Sequence, residues 1–270
     1  MSEYEFILDN MTFSFSSLTL FEQCPYAWYL KYIECRDKAS NCYADFGSYC
    51  HKILEMYAKE ELKKDDLLSY YAEHFNASNP LLIYDISYDK YYSAGALYFK
   101  DCSLDLKQYK VLGVEKQVRF KIGRYNFIGY IDLLLQDGEL VIILDHKSSE
   151  YPYSKSGKLK KKCIDKITSY KRQLYLYAKA VYDEFGVYPD KIMWNYFKEG
   201  QFDPVKFDMQ EYEEALKWAE SVVDRIYQTD EFDMVEDYFY CNRLCDFRSG
   251  ECNKEELSTT SHAKAWQISC

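Results

Sequence analysis

Apolar residues recur along the chain at two spacings, which separate helical from strand-forming segments. Near Phe15 a pair of serines precedes apolar positions at helical spacing and predicts a helix start, with Pro25 marking a break or a fresh first turn. Apolar positions three to four residues apart predict further helices over residues 43–62 and 90–106. The first part of the chain is therefore expected to be mainly helical.

The centre of the chain changes to a strand pattern. Val, Ile and aromatic residues dominate three segments, 111–122, 125–136 and 139–147. Two-residue loops suited to tight hairpins, Gly123-Arg124 and Asp137-Gly138, separate them. We therefore predict a three-stranded meander. A helix over 162–185, a strand over 191–197 and a helix over 209–227 are expected to follow.

The sequence carries no internal repeat and no linker rich in Ser, Gly or Pro. We therefore expect one domain over 1–252, followed by a flexible tail over 253–270. Within this domain we expect a helical N-terminal part, a core, and a C-terminal helix with clustered cysteines, over 1–110, 111–200 and 201–252.

The meander brings acidic residues onto one face, because side chains alternate along a strand and hairpin loops fix the pairing. With Asp137-Gly138 as the loop, Asp132 is expected opposite Ile143 and on the same face as Asp145 and Lys147. The other loop is expected to place Glu115 opposite Asp132. Carboxylates so close repel unless a cation lies between them, and oxygen ligands in this number suit Mg²⁺ or Mn²⁺. A structural ion pair between Asp145 and Lys147 is the plainer alternative.

Composition and charge narrow the class of protein. The 270 residues are 48% hydrophobic and 29% charged, which excludes a disordered chain. The N-terminus lacks a basic stretch followed by an apolar one, and no apolar run approaches the roughly 18–20 residues of a membrane span. We expect a cytoplasmic protein without membrane contact, associated with the nucleoid if bacterial or phage, whose clustered cysteines bind metal rather than form disulfides.

The formal net charge of −10 should repel nucleic acid on average. Residues 155–172, however, carry eight basic residues and one acid. Such a basic segment on an acidic protein suits phosphate binding, although most charge runs are simply solvated. The residues predicted to contact nucleic acid are Lys158, Lys160, Lys161, Lys162, Lys166, Lys171 and Arg172.

The motif Gly129-Tyr130-Ile131-Asp132, followed by Asp145-His146-Lys147, resembles the core of the PD-(D/E)XK nucleases, in particular the RecB-like exonuclease branch. The spacing of Gly47 to His51, the position of Glu115, and Gln173 followed four residues later by Tyr177 are also similar to that branch. His146 departs from the common pattern and is assigned no role. The resemblance implies an α/β (α+β) fold, with a restriction-endonuclease-like core whose mixed central sheet is flanked by helices.

The resemblance also implies roles for these residues. His51, Asp132 and Asp145 would bind one or two Mg²⁺ or Mn²⁺ ions, with Glu115 near them and the backbone carbonyl of His146 as a further ligand. The implied catalytic residues are Asp132, Asp145, Lys147, Gln173, Tyr177 and Glu115. Lys147 and Gln173 would position the attacking water, and Tyr177 would contact phosphate.

Four cysteines form a second candidate site, with Cys241, Cys245 and Cys252 near the C-terminus and Cys24 just before Pro25. Four thiolates suit zinc or an iron–sulfur cluster. The arrangement is similar to AddB-type exonucleases and to CRISPR adaptation nucleases, which implies a 4Fe-4S cluster clasping the terminal helices. The C-terminal spacing is one residue looser at each gap than that family pattern, so Zn²⁺ and no metal stay open as alternatives.

The resemblance implies a metal-dependent DNA nuclease, more an exonuclease than an endonuclease, serving recombination, repair or end processing. Its expected substrate is DNA that is single-stranded or carries ends. A helicase or recombination protein is an expected partner, because the chain has no Gly-rich phosphate-binding loop of its own. The alternatives are a catalytically silent DNA-binding or complex-assembly module of the same fold, and a globular protein whose acids cluster by coincidence.

Overall fold

A computed structural model describes residues 4–36, 42–238, 240–247 and 252. Contacts divide the chain into two units, one of Met1–Asn41 with Ala219–Cys270 and one of Cys42–Trp218. The tail expected over 253–270 lies outside the described residues. No helix among the described residues combines the length and apolar composition needed to cross a bilayer.

The first unit consists of short elements packed around aromatic side chains. Its N-terminal elements are α1 (Glu5–Asp9), β1 (Thr12–Phe13), α2 (Phe15–Gln23) and α3 (Pro25–Tyr32), and a π-helical turn spans Tyr240–Leu244. Ser14 and Ser17 cap α2 reciprocally, each backbone N–H donating to the other hydroxyl at 2.9 and 3.1 Å. The helix start expected near Phe15 is thus confirmed, and Pro25 begins a new helix. Trp28 is fully buried and stacks on Phe232.

The second unit begins with three helices and continues with strands and further helices. Its elements are α4 (Cys42–Ala58), α5 (Leu67–Ser78), α6 (Tyr88–Lys100), β2 (Lys110–Ile122), β3 (Tyr125–Asp137), β4 (Leu140–Lys147), α7 (Ile164–Phe185), β5 (Lys191–Tyr196), β6 (Gln201–Lys206) and α8 (Met209–Gln228). The division between the units falls within α8, after Trp218. The helices and strands expected from the sequence are present, and α5 and β6 are additional.

The strands β2 to β6 form a mixed sheet. β2 pairs antiparallel with β3, β3 antiparallel with β4, β4 parallel with β5, and β5 antiparallel with β6. Helices α4, α5 and α6 share one buried core with Leu133, Leu135 and Leu144 of the sheet. Helix α7 contacts β2, β3, β4 and β5 and provides the parallel crossover from β4 to β5. A mixed central sheet flanked by helices, as expected from the sequence, is confirmed.

The register of the second hairpin differs from the expectation. Gly138, not Asp137, is the first loop residue and has φ of +60°, so Asp137 pairs with Leu140 and Leu133 with Leu144. A type II′ turn places glycine first, as Gly123 also does in the other hairpin. Continuing this register puts Asp132 opposite Asp145 instead of Ile143. Because the shift is two residues, the predicted face is unchanged.

Candidate metal centre

Three side chains from three elements lie close together. His51 of α4, Glu115 of β2 and Asp132 of β3 place ligand atoms within 4.8 Å of one another, and all three are half-buried. This is the only such group of His, Cys, Asp or Glu among residues 4–36, 42–238, 240–247 and 252. Compared with the expected metal set of His51, Asp132 and Asp145, the closest group contains Glu115 in place of Asp145.

Glu115 reaches this group through an unusual backbone conformation. The pairing of β2 with β3 is regular on both sides of it, Val114 with Leu133 and Lys116 with Ile131, but Glu115 itself has φ of +46°. A non-glycine residue in this region costs about 1–3 kcal/mol, and such residues cluster at functional sites. The sequence placed Glu115 opposite Asp132 but gave no signal of the strained backbone.

Lys147 lies at the centre of a buried polar network. Its Nζ is 2.7 Å from Asp145 Oδ2 and donates to Gln173 Oε1 at 2.8 Å. The same ammonium lies 4.1 Å from the ring centroid of Tyr170, a cation–π contact. The Lys147 and Asp145 side chains are only 13% and 5% exposed, so this pair is shielded from solvent and from salt screening.

Tyr177 supports this network through its contact with Gln173. Gln173 donates through Nε2 to the Tyr177 hydroxyl at 3.3 Å, which fixes the amide that holds Lys147. The Tyr177 ring packs directly on Gly129, where an added Cβ would lie 2.3 Å from the ring. Gly129 is therefore required for close packing between α7 and β3 rather than for a special backbone angle. Burial raises the pKa of Tyr177 to about 12, so its hydroxyl stays protonated.

The main chain of His146 also faces the site, and its buried ring lies edge to face with the His51 ring, with 5.5 Å between the ring centroids. Its N–H donates to Asp132 Oδ2 at 2.7 Å, and its carbonyl accepts from His51 Nε2 at 2.9 Å. The buried ring accepts from Asn195 Nδ2 at 3.0 Å, and the same amide donates to the Tyr98 hydroxyl at 2.7 Å. Asn195 and Tyr98 thus hold the residue whose backbone lines the site.

Burial dominates the electrostatics of the site. It raises the pKa of Glu115 to about 7, with Asp132 adding to the shift. Burial and the neighbouring Asp145 raise the pKa of Asp132 well above its usual range. Burial lowers the pKa of His51. For Lys147 burial also acts to lower the pKa, but Asp145, Tyr170 and Asp132 together outweigh it and the pKa is raised. The carboxylates are held where a cation is needed to stabilise their charged forms.

The donor set fits a divalent cation. Since His51 Nε2 donates to a carbonyl, Nδ1 of the neutral ring carries a lone pair, and it faces Asp132 Oδ2 at 3.3 Å. Two acceptors in this arrangement need a proton or a cation between them. Carboxylate and carbonyl oxygens suit Mg²⁺ and Mn²⁺, and an imidazole nitrogen is compatible with Mn²⁺ and similar metals.

An open cavity of about 540 Å³ gives access to the group. Its lining includes Gly47, His51, Glu55 and Glu115. A Cβ at Gly47 would lie 3.4 Å from Ser148 Oγ, so α4 passes close to the chain just beyond β4.

The basic segment 155–172 divides into two groups. Lys171 pairs with Glu211 at 2.6 Å, Arg172 lies over the ring of Trp218, and Lys160 donates to the Tyr151 carbonyl. These three have structural contacts within the unit. Lys155, Lys158, Lys161, Lys162 and Lys166 are exposed, and of these Lys162 pairs with Glu150 at 3.3 Å. Binding of nucleic acid by this segment stays a prediction, and it rests mainly on the exposed group.

The four candidate cysteines of the first unit lie near one another. Cys24, Cys245 and Cys252 are buried in one cluster with Leu30 and Phe247. The pKa of Cys252 is raised, chiefly by its hydrogen bond with Cys245 and by burial, with Cys241 and Cys24 contributing. These cysteines are free thiols.

Two of these sulfurs accept hydrogen bonds from backbone N–H groups. Ala27 N–H donates to Cys24 Sγ at 3.5 Å, and Phe247 N–H donates to Cys245 Sγ at 3.4 Å. Cys241 instead donates its thiol to the Val235 carbonyl at 3.3 Å. N–H groups directed at sulfur stabilise thiolates, and hydrogen bonds to sulfur are among the features that set iron–sulfur potentials.

Two contributors to the site were missed from the sequence. Tyr170 contacts Lys147, and Asn195 holds the His146 ring, yet neither belongs to a recognisable motif. Tyr170 precedes Gln173 by three positions on α7, so helical spacing alone would have placed it on the same face. Asn195 lies within an otherwise apolar strand, and a buried amide there is the signal that could have found it.

Comparisons with known proteins agree with this architecture. A family model described as the PD-(D/E)XK nuclease superfamily matches residues 12–250. A crystal structure of a Eubacterium rectale protein, provisionally designated an exonuclease, is similar with a TM-score of 0.54 and 13% identity, covering 88% of this chain and 86% of that chain. At this identity the likeness concerns the fold alone. No curated protein sequence matches the chain. The match to the family model over most of the chain shows that this protein belongs to the PD-(D/E)XK nuclease superfamily.

Proposed function

We propose that the protein is a divalent-metal-dependent DNA exonuclease. The observation that carries the proposal is the placement of Lys147 against Asp145 and beside the group of His51, Glu115 and Asp132. A buried lysine next to carboxylates that need a cation is the arrangement required to bring a metal and a scissile phosphate together. Family membership supports phosphodiester hydrolysis, and the designation of the Eubacterium rectale protein favours an exonuclease.

In this proposal His51, Asp132 and Asp145 hold one or two Mg²⁺ or Mn²⁺ ions, with Glu115 and the carbonyl of His146 completing the set. Bound metal supplies an acidified, oriented water and neutralises charge that develops on the phosphate. The chain's own contribution is to keep the ligands in place before metal arrives. The His146 N–H holds Asp132, and the His146 carbonyl orients His51.

Lys147 carries the remaining chemistry. Asp145 and Gln173 hold its ammonium from two directions, and the Tyr170 ring covers a third. An ammonium so fixed can donate to the attacking water or to a non-bridging phosphate oxygen without reorganising during the reaction. Gln173 acts as a positioning residue for Lys147, and Tyr177 holds Gln173 through its protonated hydroxyl.

DNA as substrate is supported by the exposed lysines of residues 155–172, which would contact the backbone without reading its sequence. Because this segment is basic on an acidic protein, it would help to orient the strand. We place the activity in recombination, repair or end processing in the cytoplasm, on single-stranded DNA or DNA ends. Unwinding of a duplex would come from a helicase or recombination partner.

We further propose that Cys24, Cys241, Cys245 and Cys252 hold a 4Fe-4S cluster that stabilises the first unit. Burial of Cys24, Cys245 and Cys252 in one cluster supports a metal group shared by these cysteines. The N–H donors to Cys24 and Cys245 are consistent with thiolates at these positions.

The nuclease proposal is tested with end-labelled single- and double-stranded DNA in Mg²⁺ or Mn²⁺. Wild type is compared with Asp145→Ala and with Asp203→Ala, which removes another buried acid of the same sheet. We expect a ladder from one end for wild type and Asp203→Ala, and no products for a folded Asp145→Ala. Internal cuts would refute the exonuclease assignment, and DNA binding without cleavage by wild type would favour a silent binding module.

The cluster proposal is tested by anaerobic purification, an absorption spectrum and metal analysis. We expect a brown protein containing iron whose colour is lost on oxidation. A colourless protein with one equivalent of zinc would replace the cluster by zinc. A folded protein without either metal would reject both.

A further inference from the structure

A second cavity lies on the same unit as the metal centre and has no part in the chemistry proposed above. It has a volume of about 850 Å³ and opens between the C-terminal end of α4, the turn after it, and the start of β2. Cavities that hold small ligands measure about 300–1,000 Å³, so this space accommodates a ligand of nucleotide size.

The lining combines two kinds of surface. An apolar and aromatic part is formed by Tyr57, Ala58, Leu62, Leu106, Tyr109 and Val111. Four lysines, Lys59, Lys63, Lys64 and Lys107, stand against three carboxylates in a chain with a formal charge of −10. A planar base suits the first surface and a phosphate suits the lysines. The cavity is thus chemically matched to a nucleotide unit rather than to a purely apolar ligand.

The lysines differ in how they are held. Lys59 is paired with Glu55, one turn earlier on α4. Lys63, Lys64 and Lys107 are exposed, and none of them forms an ion pair with a described residue. One of the carboxylates, Asp105, accepts from the backbone N–H of Lys107 and so caps its own turn. These three ammonium groups are therefore available to bind an anion.

Helix α4 connects this cavity to the metal centre. His51 and Glu55 lie four residues apart on one face of α4, and Lys59 follows directly after the helix with its N–H donating to the Glu55 carbonyl at 2.9 Å. Glu55 lines the cavity beside the metal group and Lys59 lines the second cavity, so this ion pair lies between the two spaces. Eight residues of helix span about 12 Å between His51 and Lys59.

We infer that the second cavity binds a nucleotide of the substrate strand at a fixed distance from the scissile phosphate, which rests on the proposed nuclease function. Stacked single strands rise about 3.4 Å per nucleotide, so 12 Å corresponds to about three or four nucleotides. The base lies against Tyr57 and Tyr109, and its phosphates contact Lys63, Lys64 and Lys107. The cavity thereby holds the strand in register while the metal centre cuts.

The first test measures KM for strands that extend from one to eight nucleotides beyond the cleaved bond. For wild type we expect KM to fall as the extension reaches three or four nucleotides and to change little beyond that. Lys63→Ala/Lys64→Ala/Lys107→Ala is expected to remove this step. Loss of three phosphate contacts should also reduce the slope of log KM against log salt by about 2, at roughly 0.7 per contact on single strands.

The matched control is Lys100→Ala/Lys121→Ala/Lys206→Ala, which removes three exposed lysines away from the cavity. It changes the net charge equally and is expected to retain both the length step and the salt slope. Equal effects of the two triple variants would overturn the inference, because they would show a general charge effect.

The second test does not depend on cleavage. The Asp145→Ala protein is irradiated with oligonucleotides that carry 5-iodouracil at each of eight successive positions, and cross-linked peptides are identified by mass spectrometry. We expect cross-links to Tyr57 or Tyr109 from the third or fourth position past the site of cleavage. Cross-links confined to residues 150–172 would overturn the inference even if wild type cleaves DNA. Cross-links to the two tyrosines without cleavage by wild type would support the cavity and reject the proposed chemistry.

Discussion

Replacing Gly129 by alanine tests whether close packing of α7 on β3 positions the catalytic lysine. The new Cβ would lie 2.3 Å from Tyr177 Cε1, whereas ordinary contacts begin near 3.4 Å. The Tyr177 ring must therefore retreat by about 1.1 Å. Its hydroxyl accepts from Gln173, and Gln173 accepts from Lys147, so the displacement is passed along two hydrogen bonds to the ammonium.

Both the free energy of unfolding and kcat of Gly129→Ala are expected to fall. Overpacking of this kind costs about 1–3 kcal/mol, and for a chain of this size each kcal/mol lowers Tm by about 2–4 °C. The reduced backbone freedom of alanine offsets about 0.4–1 kcal/mol of that loss. A misplacement of about 1 Å at a reacting group can cost about 100-fold in rate. We expect kcat on single-stranded DNA to fall by about that factor, while KM changes little.

The matched control is Gly95→Ala on α6. There the added Cβ would lie 2.3 Å from the Tyr71 hydroxyl, a similar clash in a fully buried helical core remote from Lys147. Tm should fall comparably, but kcat per folded molecule should stay near that of wild type. Equal kcat for Gly129→Ala, Gly95→Ala and wild type, each verified as folded, would refute the idea that Tyr177 and Gln173 position the lysine.

Three further predictions follow from the two candidate sites. The folded-state pKa of Glu115 is about 7, against 4.5 as its ordinary value, so the folded metal-free protein binds more protons than the unfolded chain and its Tm should fall from about pH 4.5 to about pH 7. The Tm increase on adding Mn²⁺ should grow over the same range, and Glu115→Gln should weaken both trends in thermal scans. Asn195→Leu removes the donor to the buried His146 ring, so we expect a loss of about 1–3 kcal/mol and weaker Mn²⁺ binding. The buried amide control Asn79→Leu should lose stability in denaturant titrations without a change in Mn²⁺ affinity. Cys24 caps α3, and serine is a good helix cap, so Cys24→Ser should be neutral or stabilising without metal but should lower iron content and Tm if a cluster is bound.

The strands show how much local pattern can specify. Alternation of apolar residues and the glycines at 123 and 138 predicted the meander and the face that carries Asp132 and Asp145. The predicted pairing of β2 with β3 was right, but the pairing of β3 with β4 was wrong by two residues, because an Asp-Gly pair is compatible with two loop placements. Which residue occupies the first loop position depends on the backbone angle at Gly138, and the sequence does not state that angle.

Helix α5 and strand β6 were missed for a related reason. α5 is short and buries only Leu67, Tyr71 and Phe75, so its apolar stripe is weak against the polar residues around it. β6 contains Pro204 at an edge of the sheet, which a pattern of strand formers does not favour. Both elements exist because neighbouring parts of the unit supply the buried surface they need.

The sequence by itself determined the class of fold, the family, and most of the candidate site, since motif residues lie on elements whose periodicity is local. Tertiary structure alone decided which atoms meet. His51 is far along the chain from Asp132. Glu115 joins them only through a strained, positive φ angle, which pairing within the sheet maintains. Tyr170 and Asn195 enter the site because α7 and β5 pack beside β4. Local patterns specify periodicity and turns, whereas the separation of side chains depends on how whole elements pack, and packing is a property of the complete chain.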